Sequence, residues 1–268
     1  MPEAAQRVLS ACVFVPGVLA LLWLGDWALF ALVAAIIGRG TWEFYHMAAA
    51  AGHRPLGLVG SLLALGLSAH IFAFGAAGLE LAIAVSIIIV LSTALFRGTQ
   101  GYVANALITL GGVLYIGFLG SAPLLLEQRL AAAGQSGGWV LMLVLGSLWL
   151  TDAAAYLGGR ALGRHKLAPT ISPGKTIEGF VAGLAGGLPL LALNHLVPLF
   201  SWEQLAGLLL LLGLGGQLGD LIESAIKRDL GLKDAPPLIP GHGGVLDRFD
   251  SYFFAFPLAY AYVEWVVL

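Results

Sequence analysis

Long apolar runs, broken by short polar stretches, make up nearly all of the chain. A helix needs about 20 apolar residues to cross the hydrocarbon of a bilayer. Runs of that kind lie at about 8–24, 27–48, 56–74, 79–96, 103–126, 138–160, 177–198, 204–226 and 250–268, which predicts about nine transmembrane helices. The 27–48 run is interrupted by Arg39 and Glu43. At i and i+4 these two either pair on one face or mark a bend towards the interface. Arg7 before an apolar run also fits a signal peptide, but no A-x-A-like cleavage site precedes Asp26, so a retained first helix is expected.

Nine spans sort the basic residues. One side receives the N-terminus and the loops near 50, 100, 165 and 238, and with them Arg7, Arg54, Arg97, Arg160, Arg164, Lys166, Lys175, Lys227, Arg228, Lys233 and Arg248. Arg39 leans towards that side, and the opposite side holds only Arg129. The positive-inside rule makes the crowded side cytoplasmic. The expected molecule is therefore an all-α, polytopic bundle in the inner (cytoplasmic) membrane, with its N-terminus and its polar site facing the cytoplasm.

Composition fits this picture: 59% of the 268 residues are hydrophobic and 10% charged, with a mean hydropathy of +0.91. That excludes an ordinary soluble domain, and the lipid bilayer, not nucleic acid, is the expected surroundings. Cys12 is the only cysteine, which excludes an internal disulfide and a cysteine-rich zinc site. Trp23, Trp27, Trp139, Trp202 and Trp265 fall near predicted span ends, as an aromatic belt would. Gly179, Gly183 and Gly187, and again Gly215 and Gly219, repeat every fourth residue. Such small faces let membrane helices approach closely, within one chain or in a homodimer. No internal repeat is found. The chemistry-bearing residues divide the chain into an N-terminal helical part, 1–133, and a C-terminal catalytic part, 134–268.

The polar residues gather in two stretches. Following the apolar run 205–218, Asp220, Glu223, Ser224 and Lys227 fall at i, i+3, i+4 and i+7, on one helix face. Acids and bases beside hydrocarbon are costly and mark sites. Pro236, Pro237 and Pro240 then exclude helix, while Gly241, Gly243 and Gly244 allow close approach and a nest of amides for an anion. His242, Asp247, Arg248 and Asp250 complete the stretch. Carboxylates, bases and free amides suit a polyphosphate carrying Mg²⁺, which takes one or two carboxylates plus phosphate oxygens. A charged loop that only turns the chain is the plainer alternative.

In the other stretch, 151–178, Asp152 sits within an apolar span as either a site carboxylate or a helix-packing group. Arg160, Arg164, His165 and Lys166 read as a positive-inside anchor. Ser172-Pro173-Gly174-Lys175-Thr176 ends like a phosphate-binding P-loop, but Pro169 stands where its first glycine belongs and no strand precedes it. The helix expected to begin near Thr176 would still offer free amides to an anion, with Lys175 as a point charge.

Ser224-x-Ile226-Lys227-Arg228, Lys233-Asp234 and Pro240-x-His242-Gly243-Gly244-Val245-x-Asp247-Arg248-Phe249-Asp250 resemble the signature of the phosphatidate cytidylyltransferases (CDP-diacylglycerol synthases). Pro236 departs from the small residue expected there. Ser172 to Thr176 with Glu178-Gly179 resembles that family's other conserved region. The resemblance implies a Mg²⁺-dependent enzyme that joins CTP to phosphatidic acid, giving CDP-diacylglycerol and pyrophosphate in phospholipid biosynthesis. It makes Asp220 and Asp247 metal ligands, with Glu223 and Asp250 as reserves for these or for a second cation. Lys175, Lys227 and Arg228 would stabilise the reacting phosphates. Ser172, Lys175, Thr176, Ser224, Lys233, His242, Gly243, Gly244 and Arg248 would bind substrate. A CTP-dependent lipid kinase and a cation or proton transporter through Asp152, Asp220 and Glu223 are the rival readings.

Overall fold

A computed structural model of the chain describes residues 15–233 and 244–268. The readings placed on Arg7, Cys12, Asp234, Pro236, Pro237, Pro240, Gly241, His242 and Gly243 lie outside the described residues. The helices are α1 (Val15–Leu24), α2 (Asp26–Ala50), α3 (Gly57–Phe74), α4 (Leu79–Leu95) and α5 (Tyr102–Gly111). A π-helical stretch, Gly112–Phe118, leads from α5 towards α6 (Ala122–Ala132) and α7 (Gly137–Leu162). Two strands, β1 (Lys166–Ala168) and β2 (Ser172–Thr176), precede α8 (Ile177–Leu184) and a 3₁₀ segment, Leu188–Leu196. The chain closes with α9 (Trp202–Asp229), the single turn α10 (Leu246–Phe249), α11 (Tyr252–Tyr262) and a π turn, Val263–Val267.

Among the described residues, six stretches are long and apolar enough to cross a membrane: α2, α3, Tyr102–Ala132, α7, Ile177–Leu196 and α9. The remaining three of the nine predicted runs are shorter helices. The first is described from Val15 and ends at Leu24, and α4 has 17 residues, about 25 Å of rise. In the last run, residues 246–251 form a separate turn, so α11 starts only at Tyr252. The all-helical expectation holds apart from one small hairpin, β1 with β2, among the described residues.

The helices are apolar outside and carry polar groups inside, as lipid demands. All five tryptophans assigned to span ends are exposed, Trp265 to 82%. Thr41, Ser68, Thr109, Ser147, Thr151 and Gln217 are buried. Several buried hydroxyls satisfy themselves on the preceding turn of their own helix, as Thr41 does on Ile37 O at 2.8 Å and Thr109 on Asn105 O at 2.7 Å.

The chain divides into two compact units, Met1–Leu125 with Asp229–Arg248, and Leu126–Arg228 with Phe249–Leu268. The first is built around Tyr45 of α2. Its ring occupies the space that a side chain at Gly60 of α3 or Gly112 would need, and its hydroxyl donates to Thr109 O at 2.8 Å. In the second unit the predicted glycine faces meet partners of the same chain. A Cβ on Gly179 would come within 2.7 Å of Ala155 O, and one on Gly183 within 2.6 Å of Gln217 Oε1. Gln217 Nε2 in turn donates to Phe180 O at 3.1 Å, tying α9 to α8. Arg129, the lone basic residue assigned to the far side, donates to Glu264.

Candidate functional site

In the second unit, the end of α7, the hairpin, α8 and α9 bring the first polar stretch to the face of α9. The hairpin is antiparallel, with Lys166 opposite Thr176 and Ala168 opposite Ser172. Lys166 Nζ donates to Pro173 O at 2.8 Å. The Ser172–Thr176 stretch, expected as a loop running into a helix, is thus a strand. Three residues of β1 are too few to show an alternating pattern, which is why the hairpin is silent in the sequence.

The helix does begin where expected, but its first amides are partly occupied. Thr176 is the N-cap of α8, and its Oγ1 accepts from Gly179 N at 3.1 Å. That bond satisfies one of the donors that an anion would otherwise use. Gly159 and Gly163 of the α7 end crowd the same hydroxyl; a Cβ on either would lie 3.0 Å and 2.9 Å from it. Thr176 is therefore the cap of α8, and Ser172 and Lys175 lie on the same strand, β2. Glu178 closes the arrangement, accepting from Arg164 N at 3.0 Å and meeting His165 Nδ1 at 2.6 Å.

Lys175 crosses to α9. Its Nζ lies 2.6 Å from Asp220 Oδ2, both side chains partly open to solvent. Asp220 also meets Ser224 Oγ at 3.4 Å, one turn on. Further along that face, Glu223 and Lys227 form a buried pair at 2.5 Å. Arg228 reaches back and donates to Ile171 O at 3.3 Å, at the turn of the hairpin. The same unit carries Asp250, whose backbone approaches Gly219 so closely that a Cβ there would overlap it. Ser251 Oγ donates to Gly216 O at 3.0 Å and holds that turn on α9. Asp250 lies within electrostatic reach of Asp220, Glu223 and Asp152. The structure thus brings Lys175, Asp220, Ser224, Arg228, Asp250 and Asp152 into one neighbourhood.

The first unit holds the other half of the signature. Gly244 N donates to Asp247 Oδ2 at 2.9 Å, so this glycine's amide serves its own loop instead of an open nest. Arg248 and Lys233 are exposed. One residue here escaped the sequence reading as a site residue. Glu43 of α2, wholly buried, accepts from Val245 N at 3.0 Å and Leu246 N at 2.9 Å, while Arg39 Nε donates to it at 2.9 Å. The anticipated Arg39–Glu43 pair does form, in an unbroken α2. What the sequence offered was an acid in an apolar run; its second partner lies 202 residues away.

Among the described residues no group of three or more His, Cys, Asp or Glu side chains is gathered tightly enough to hold a metal by itself. The donor set nevertheless fits a hard cation. Asp220, Asp250 and Asp152 offer only oxygen and burden one another with like charge, and Mg²⁺ asks the protein for just one or two carboxylates when phosphates supply the rest.

A sequence model of the Cytidylyltransferase family matches residues 5–266. A phosphatidate cytidylyltransferase of Synechocystis sp. is 34% identical over 96% of each chain. One from Staphylococcus aureus is 53% identical over 113 residues, 41% of this chain and 44% of that protein. One from Staphylococcus saprophyticus is 50% identical over the same shares. The chain thus spans less than half the length of the staphylococcal relatives it matches.

Proposed function

The chain belongs to the cytidylyltransferase family, and on that premise we propose that it transfers CMP from CTP to phosphatidic acid, releasing pyrophosphate and leaving CDP-diacylglycerol in the membrane. The observation that carries this reading is the 2.6 Å contact of Lys175 with Asp220. It joins a phosphate-type strand to the acidic face of a membrane-length helix, so a cation for phosphate and a carboxylate for a metal share one place.

The reaction asks two anions to meet. A phosphatidate oxygen attacks the α-phosphorus of CTP; the new P–O bond forms as the bond to the β-bridging oxygen breaks, and pyrophosphate leaves with that electron pair. The attacking phosphate is already ionised, so no base is required, and His242 is free to bond a phosphate or the cytidine. Positioning and charge neutralisation supply the catalysis. Asp220 and Asp247 would hold Mg²⁺, with Asp250 and Glu223 as reserves for these or for a second ion. When bound, Mg²⁺ neutralises triphosphate oxygens, worth several kcal/mol at the transition state. Lys175, Lys227, Arg228, Lys233 and Arg248 would hold phosphates, and Ser172, Ser224, Gly243 and Gly244 would bind substrate. The distribution of basic residues directs the site and the N-terminus to the cytoplasm of the inner membrane, where CTP is found.

A CTP-dependent lipid kinase would use the same charges but leave CDP and a phosphorylated lipid. Purified protein with labelled CTP and phosphatidate, with Mg²⁺ present or chelated, decides between them. CDP-lipid and pyrophosphate, lost on chelation, are expected; CDP with a phosphorylated lipid would overturn the reading.

A further inference from the structure

We infer that Glu43, outside both motif stretches, is a positioning residue that fixes the loop carrying Asp247 and Arg248. Glu43 is 0% exposed on an apolar helix, a costly place for a charge unless it is well bonded. Its Oε1 accepts from Arg39 Nε at 2.9 Å and from Val245 N at 3.0 Å, and its Oε2 accepts from Leu246 N at 2.9 Å. Arg39, which also lies 4.0 Å over the Trp42 ring, neutralises the charge from within α2. The two amides come from the far end of the chain and lead directly into α10, the turn holding Asp247 and Arg248. The next amide back, Gly244 N, goes to Asp247 itself. Three consecutive amides are thus fixed by two carboxylates, and one oxygen of Asp247 is held in place. A helix start otherwise leaves such donors to water. Here the backbone before Asp247 has one arrangement, dictated by a residue 202 positions earlier.

What Asp247 and Arg248 are positioned for rests on the function proposed above; the latch itself does not. The test uses full-length wild type, Glu43→Gln and Glu43→Asp, purified in detergent. Gln keeps the size of Glu but presents an NH₂ to one of the amides, and Asp is one methylene too short to span both. Hydrogen exchange of a peptide covering 244–249 should quicken about tenfold or more in both variants, the scale of one lost bond to a charged acceptor. Peptides of α9 should keep their wild-type rates. CDP-lipid formation should lose about tenfold or more in kcat, with KM for CTP within about twofold, and half-activation should need more Mg²⁺. Unchanged exchange at 244–249 would overturn the inference, as would exchange rising equally throughout the chain. A wild type that makes no CDP-lipid would sink the proposed function while leaving the exchange result to decide the latch.

Discussion

Glu43 and Glu223 are both buried carboxylates on membrane-length helices, each four residues from a basic partner. They differ in what the charge holds. Glu223 pairs with Lys227 within α9, with the acid N-terminal to the base, the favourable order on a helix. Glu43 follows Arg39, the weaker order, and takes in two amides from the turn before Asp247. The Glu223–Lys227 pair lies within one helix, while Glu43 also ties remote segments together. Asp220 is of the second kind, since Lys175 reaches it from the hairpin. The contrast suggests a rule for α2, α8 and α9: acids bonded to a remote segment set up chemistry, and acids and caps bonded within one helix set up stability.

The largest effect tests the first half of that rule. Asp220→Asn should cut turnover about a thousandfold, corresponding to about 4 kcal/mol of transition-state stabilisation. Its melting temperature in detergent should hardly move. Lys175 and Asp220 are 26% and 34% exposed, so solvent screens the pair to within about 1 kcal/mol of folding stability. Asp247→Asn should behave alike, because an Asn side-chain oxygen can still accept from Gly244 N. Turnover above about a tenth of wild type in the Asp220 variant would dissolve the distinction drawn between these acids.

The same distinction explains what was legible in the sequence. Apolar run length located every long helix, because hydropathy in a membrane is a local signal. The fourfold glycine spacing anticipated close packing at Gly179 and Gly183, also a local pattern. Glu43 appeared only as half of a pair with Arg39, since nothing near it in sequence announces Val245 and Leu246. Gly60 and Gly112 lie on different helices, and only the folded chain reveals that both make room for Tyr45. The hairpin was hidden for a different reason: β1 is three residues long and sits among basic residues that read as an anchor.

The second half of the rule predicts a stability effect at Glu223. Glu223→Gln leaves the Lys227 ammonium, whose side chain is 11% exposed, beside a neutral amide. Losing one member of a buried pair costs about 3 kcal/mol, read as a melting temperature several degrees lower. Glu223→Gln with Lys227→Met should recover most of that loss, since an apolar replacement removes the stranded charge. The double variant should nonetheless lose turnover, since Lys227 is assigned to phosphate. A double variant no more stable than Glu223→Gln would mean that Glu223, like Glu43, holds more than its own helix.

The smallest expected effect falls on the most local contact, the Thr176 cap. Thr176→Ala frees Gly179 N and should cost about 1 kcal/mol, while Thr176→Ser keeps the oxygen and should restore most of it. The hydroxyl is enclosed by Gly159, Gly163 and Gly179, so it faces the α7–α8 contact and is already engaged by a backbone donor. On that geometry KM for CTP should stay within about twofold of wild type in both variants. A rise in KM with Ala that Ser reverses, at unchanged melting temperature, would return Thr176 to phosphate binding. It would also show that even an i to i+3 cap on this helix takes part in chemistry, contrary to the rule.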